Sequence, residues 1–187
     1  MNYRRVVVSN VNGISTVVED GQPTRLNLSQ HTPGFASGFV WSTEPKPILS
    51  SSTTDPTLAK SSFLPAVGGT SLLLLTLPPD SVYADPSYDP VAAGAEAAES
   101  SPGLAELFER DNPGMHTTPT VDYDVVIEGE VWLELSEGEV HLTAGDVVVQ
   151  HGTRHAWRNK GDKPATVLAV LIGAQDRAPA EDEDHRS

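Results

Sequence analysis

His116, Asp122, Asp124, His151 and His155, at the edges of the strand patterns within Gly114–Asn159, can hold a metal or move a proton. Two imidazoles and one carboxylate on one ion make the facial arrangement suited to Fe(II), with Zn, Mn and Ni as chemical alternatives. The same groups serve as general acids and bases. Asp122 and Asp124 are two apart, so on a strand they point to the same side. That side cannot be an apolar core, because two carboxylates would be buried there without partners. They face either a polar cavity or solvent, while Val121, Tyr123, Val125 and Ile127 take the other side. Arg154 stands beside His155, where its guanidinium could fork onto a substrate carboxylate; the alternative is an exposed loop arginine. Trp157 is a candidate for an apolar wall against substrate, with Val126, Val148 and Trp132, although tryptophan is more often core filling. His141 alternates outward with Glu139, and His31 lies in the turn-like SQHTPG.

Short strands must position these groups. Residues 121–127 (VDYDVVI) and 130–135 (EVWLEL) surround Glu128-Gly129, and residues 146–150 (DVVVQ) follow a turn at Thr143-Ala144-Gly145. Runs rich in β-branched and aromatic residues and punctuated by glycine read as antiparallel hairpins. Chain folded back in this way holds ligands rigidly at its strand edges, as a jelly-roll barrel does in its mouth.

The spacing His116-x-Thr118-x3-Asp122-x6-Gly129 resembles the first motif of the cupin superfamily, G-x5-H-x-H-x3-4-E-x6-G. Gly145-x4-Gln150-x-Gly152-x2-His155-x3-Asn159 is similar to its second motif, G-x5-P-x-G-x2-H-x3-N, one residue shorter and with Gln150 at the proline position. Residues 71–77 (SLLLLTL) and 166–172 (TVLAVLI) fit the strands on either side. The resemblance implies an all-β fold, the double-stranded β-helix or jelly-roll barrel, with extra N-terminal strands and a short helix in an insertion. It also implies a divalent transition metal (Fe, Zn, Mn or Ni) on His116, Asp122 and His155. Thr118 stands where the second histidine belongs and leaves a coordination place open. Asp122 replaces a glutamate and reaches less far. His151 falls at a free position on the rim, and Asp124 or His151 would move the proton. From the same resemblance a homodimer is expected, the alternative being residues 1–50 packed on their own barrel.

The remainder of the chain bounds this reading. It has 187 residues, a formal net charge of −14 and no cysteine. One domain of this size buries a core without staples. Disulfides and thiolate ligands are excluded. The acidic balance, with no offsetting basic patch, argues against nucleic acid as partner. No apolar run reaches membrane-span length and no signal-peptide core follows the N-terminus, so a cytoplasmic protein is expected.

Residues 3–8 and 14–18 flank the hairpin signal Asn12-Gly13, and 35–43 make a further strand. Residues 44–62 read as an irregular surface segment. The expected organisation is an N-terminal extension over 1–62, a barrel over 63–175 carrying an insertion at 80–113, and a disordered tail over 176–187 that includes His185. Within the insertion, residues 101–109 read as a short helix with Ser101 as N-cap and Pro102 at N1. The insertion itself is either a lid over the mouth or a surface excursion. No internal repeat of the barrel strands is visible.

Three functions fit these residues. The first is a metal-dependent lyase or isomerase acting on a small oxygenated organic molecule. The second is a non-haem iron dioxygenase on the same ligands, and the third a non-catalytic small-molecule-binding module.

Overall fold

Asn12 and Gly13 both take positive φ, 53° and 79°. They make the type I′ turn whose twist matches flanking strands. The turn joins β1 (Arg5–Val11) to β2 (Ile14–Gly21), which among the described residues pair only with each other. The computed structural model of the protein describes residues 3–49 and 54–175. Among these, β3 (Arg25–Leu28), β4 (Ala36–Thr43), β5 (Thr70–Leu77), β6 (Thr120–Glu128), β9 (Val147–His151) and β11 (Ala165–Gly173) form a six-stranded sheet in the order β3-β4-β5-β11-β6-β9. β7 (Glu130–Leu135), β8 (Glu139–Thr143) and β10 (His155–Arg158) form a second sheet in the order β10-β7-β8. The architecture is the all-β jelly-roll type. Among the described residues, no helix is long and apolar enough to cross a membrane.

Period-2 alternation sorts each strand of the large sheet into an inner and an outer side. On β6 the inner Thr120, Asp122, Asp124 and Val126 are buried, while the outer Tyr123 and Ile127 are exposed. Two apolar clusters fill the interior. One gathers Phe39, Phe63, Leu73, Leu104, Ala169 and Leu171; the other gathers Val126, Val131, Leu133, Leu142, Ala165 and Val167. The inner side of β6 therefore turns from apolar at Val126 to acidic at Asp124 and Asp122. Gly129, between β6 and β7, has φ 74°, and a Cβ there would lie 2.9 Å from Ala165. Only glycine gives both the turn and the approach.

The insertion differs from its sequence expectation. Its helix, α1, spans Pro90–Ser100, and residues 101–109 hold only turns and a 3-10 segment at Ala105–Leu107. Asp89 caps α1 through the backbone N–H groups of Val91 and Ala92, with Pro90 at N1. That is the same cap-then-proline signal expected at Ser101-Pro102, but here it precedes an alanine-rich run that propagates helix. Gly103, at φ 83°, lies just beyond Ser101-Pro102, where helical continuation would need negative φ. The insertion is tied to the sheets at several points. Leu104 enters the first core cluster, and Phe63 N–H donates to the Pro102 carbonyl at 2.8 Å. Glu96 on α1 accepts from Ser29 Oγ and from the N–H groups of Gln30 and His31. The tail over 176–187 lies outside the described residues.

Candidate active site

His116 and His155 are joined across two segments by reciprocal backbone bonds, each N–H donating to the other's carbonyl at 2.9 Å. This bridge sets the rings side by side, centroids 4.3 Å apart. β10 carries His155 on the small sheet, and the same residue pairs with Leu135 of β7. Facing them, the large sheet supplies Asp122 and Asp124 from β6 and Gln150 from β9, with Asp122 opposite Gln150 in register. All five side chains are buried. Phe108, from the end of the insertion, packs tilted against His116 at 4.7 Å between centroids.

Hydrogen bonds fix the tautomers. His116 Nδ1 lies 3.1 Å from the Gly114 carbonyl and His155 Nδ1 lies 2.8 Å from the Thr153 carbonyl. A carbonyl only accepts, so Nδ1 carries the proton in both rings and Nε2 carries the lone pair. Thr153 Oγ donates to Gln150 Oε1 at 3.0 Å, which orients the amide. Its Nε2 then donates to Asp124 Oδ2 at 2.8 Å and to His155 Nε2 at 3.3 Å. Gln150 thus wires the acid to the imidazole. Asp122 Oδ2 accepts from Thr118 Oγ at 3.4 Å, and Thr120 Oγ donates on to Thr118 at 2.7 Å. Asp122 Oδ1 is buried with no hydrogen-bond partner among the described residues.

These surroundings set the protonation states. Burial pushes the Asp124 carboxyl up to about 7, opposed by the Gln150 hydrogen bond and reinforced by the neighbouring Asp122. Asp122 is also raised, again by burial, against hydrogen bonds from Thr120 and Thr118 and the nearby His155. His116 is lowered to about 4 by burial and by the adjacent His155. Burial lowers His155 as well. Near neutral pH the site holds two uncharged imidazoles and one carboxyl poised to exchange its proton.

Gln150→Leu removes the donor that favours ionised Asp124, so that carboxyl is expected to titrate about one pH unit higher. A carbon-detected NMR titration of the side-chain carboxyls reads this directly. An unchanged Asp124 titration would show that the amide does not tune the acid.

The structure brings His116, Asp122, Asp124 and His155 together. His151 does not join them. It ends β9 on the side opposite Gln150, is exposed, and lines a cleft of about 760 Å³ with Thr118, Thr120 and Gly152. Strand alternation separates it from the buried acids, which corrects its expected place as their proton partner. Arg154 forks onto Glu109 at 2.6 and 2.7 Å, so both donors meet a carboxylate of the insertion. Trp157 is half-buried, packs against the second core cluster and meets His155 edge-on at 6.1 Å. His141 is exposed and stacks on Trp132. The motif resemblance marks Gln150 only as a replaced proline and not as a site residue. Alternation within DVVVQ, which sets it on the side of Val148, was the signal that could have found it.

No group of three or more His, Asp or Glu side chains is arranged to hold a metal ion as it stands, among the described residues. The donor types nevertheless fit a divalent transition metal. Both imidazoles offer Nε2, and a buried carboxylate oxygen lacks a partner. The Nε2 of His155 has a single lone pair, so an ion there takes the place of the Gln150 N–H.

Residues 109–171 match the family model described as "Cupin domain". Oryzines biosynthesis cluster protein J of Aspergillus oryzae is 58% identical over 65 residues, covering 34% of this chain and 36% of that one. A cupin-domain-containing oxidoreductase of Neurospora crassa is 36% identical over 73 residues, covering 37% of each. Matches of this kind span about a third of the length of the relatives concerned. A solved Cupin 2 conserved barrel domain protein from Salinispora arenicola is 17% identical, with 56% of this chain and 64% of that one covered and a TM-score of 0.36.

Proposed function

We propose that this chain, whose residues 109–171 match the cupin-domain model, is an enzyme that takes a proton from, and returns it to, a small oxygenated organic molecule held between the two sheets. The reaction class is lyase or isomerase. One observation carries the reading: Asp124 is buried, titrates near 7 and is wired to His155 through the Gln150 amide. A group with that titration is half in each form at neutral pH, which suits a base that must also act as an acid. His116 and His155, uncharged, accept hydrogen bonds from substrate hydroxyls through Nε2. Phe108 keeps water from the imidazole pair on one side. A divalent transition metal (Fe, Zn, Mn or Ni), held by His116, His155 and Asp122, would supply Lewis-acid polarisation of a substrate oxygen.

A second reading, an iron-dependent dioxygenase on the same side chains, is favoured by the oxidoreductase name of the Neurospora crassa relative. A third is a module that only binds a small molecule.

Incubating the protein with a panel of hydroxy and keto acids in D₂O, with and without oxygen, separates the three. Deuterium incorporation under anaerobic conditions is expected, and it should vanish in Asp124→Asn. Substrate consumption that needs oxygen supports the dioxygenase; binding without turnover supports the module. Elemental analysis of protein purified without chelator, beside His155→Ala, reads the metal separately: iron lost in the variant supports the dioxygenase.

A further inference from the structure

Arg4, Arg5, Arg154 and Arg158 each meet a carboxylate, on Asp20, Asp55, Glu109 and Glu134 respectively. Among the described residues Arg25 and the exposed Arg110 meet none, although acidic side chains outnumber basic ones 26 to 12. Arg25 differs from Arg110 in being half-buried and held in place. Its Nη1 donates to the Thr57 carbonyl at 3.1 Å and to the Lys60 carbonyl at 2.8 Å. Its guanidinium carbon lies over the rings of Phe39 and Phe63, 5.2 and 5.1 Å from their centroids. These contacts use one nitrogen and the flat face of the group. The edge made by Nε and Nη2 has no partner among the described residues. That edge is the one with which this molecule grips carboxylates elsewhere. Arg4 holds Asp20 through Nε and Nη2 at 2.7 and 2.8 Å, and Arg154 holds Glu109 the same way at 2.6 and 2.7 Å.

Arg25 lines a cleft of about 780 Å³ between β3 and α1, a size that suits a small molecule. β3 supplies Leu26 and Asn27 beside it, and α1 supplies Ala92, Ala95 and Glu99 across it. β3 is the last strand of the sheet, so its outer backbone edge has no ladder partner among the described residues. Glu96 also borders the cleft, but its oxygens accept from Ser29 Oγ and from the N–H groups of Gln30 and His31. Glu99 is exposed and has no such donors among the described residues. The cleft therefore presents one fixed cation and one available anion. β3 and β9 are at opposite ends of the strand order, which separates this place from Asp124, Gln150 and His155.

We propose that the cleft is a second binding site, for a small zwitterion carrying one carboxylate and one ammonium. The carboxylate forks onto Nε and Nη2 of Arg25, and the ammonium meets Glu99. A simple anion satisfies only the guanidinium and is repelled by Glu99; a simple cation faces the reverse. The planar fork favours a carboxylate, whose two oxygens match its spacing.

Calorimetric titration of the full chain with glycine, β-alanine and γ-aminobutyrate, beside acetate, tests the site. At least one amino acid is expected to bind at millimolar concentration or tighter, about tenfold or more ahead of acetate. Its methyl ester should not bind, and the Arg25 Nε–H signal should shift on titration in proton–nitrogen NMR. Arg25→Lys keeps the charge and loses the fork, and Ala95→Trp fills the cleft from an exposed position on α1. Each should weaken binding about tenfold or more, with near-UV circular dichroism unchanged for Ala95→Trp. Glu99→Gln should bring the amino acid down to the level of acetate. His155→Ala should leave binding as it is. No binding by any of the three amino acids overturns the proposal, as does binding that survives Arg25→Lys or Ala95→Trp. Binding lost in His155→Ala also overturns it, since the ligand would then sit between the imidazoles.

Discussion

Asp124→Asn is expected to lower turnover by about 10²–10⁴-fold while leaving the fold intact. The amide keeps the size of the carboxyl and can still meet Gln150, but it cannot take a proton. Its effect on stability has a definite sign. The unfolded chain loses the Asp124 proton near 3.8 and the folded chain near 7, so the folded state holds the extra proton between those values. Stability therefore falls as pH rises through that window. His116 works in the opposite sense: unfolded it takes a proton near 6.5, folded only near 4, so stability falls as pH drops between them. Where the windows overlap, the two slopes offset one another. Asn at 124 abolishes the first slope only. The variant should gain about 4 kcal/mol relative to wild type at pH 8 and less than half of that at pH 5. Urea denaturation at the two pH values measures the difference. An advantage of equal size at both would mean that Asp124 does not carry a raised titration, and retained turnover would remove it from the chemistry.

The largest loss of stability is expected at Arg5. Its Nη1 donates to the Val40 carbonyl at 2.8 Å and to Asp55 at 2.9 Å, and its other terminal nitrogen meets Glu19. The guanidinium and Asp55 are both buried, and Asp55 also accepts from Thr57 N–H and hydroxyl. Arg5→Ala takes the only cation paired with buried Asp55 among the described residues, leaving it the Thr57 bonds on Oδ1, and removes the guanidinium bond to the Val40 carbonyl, which costs about 3–5 kcal/mol. Most of that penalty belongs to the abandoned carboxylate. The double variant Arg5→Ala/Asp55→Ala should therefore regain part of it. Chemical denaturation of the single and double variants tests the point. Additive losses would show that Arg5 contributes by packing on Trp41 rather than through the ion pair.

Strands bounded by glycine turns and filled with β-branched residues were legible in the sequence. Asn12-Gly13 and Glu128-Gly129 mark two of them, and SLLLLTL and TVLAVLI a further two. β3 (RLNL), β8 (EVHLT) and β10 (HAWR) were not legible. They are four or five residues long and carry charge, and they become strands only because a neighbour supplies the ladder. Alternation placed Asp122 and Asp124 on one side but left cavity and solvent open. Burial of both beside His155 is a fact about the facing sheet, which no local pattern contains. Gln150 shows the same limit, since its partners Asp124 and Thr153 are set by register and by a turn.

On the proposed function, the groups that would handle the proton and those that would wall a guest molecule come from different parts of the chain. Asp122, Asp124, Gln150 and His155 are seated on ladders, whereas Phe108 and Glu109 arrive from the long excursion after β5. The excursion interrupts no ladder, so its rim side chains, Phe108 and Glu109, are open to exchange while Leu104 keeps it anchored in the core. Selectivity and reactivity are thus separately replaceable, and a lineage can change what it accepts without rebuilding how it reacts.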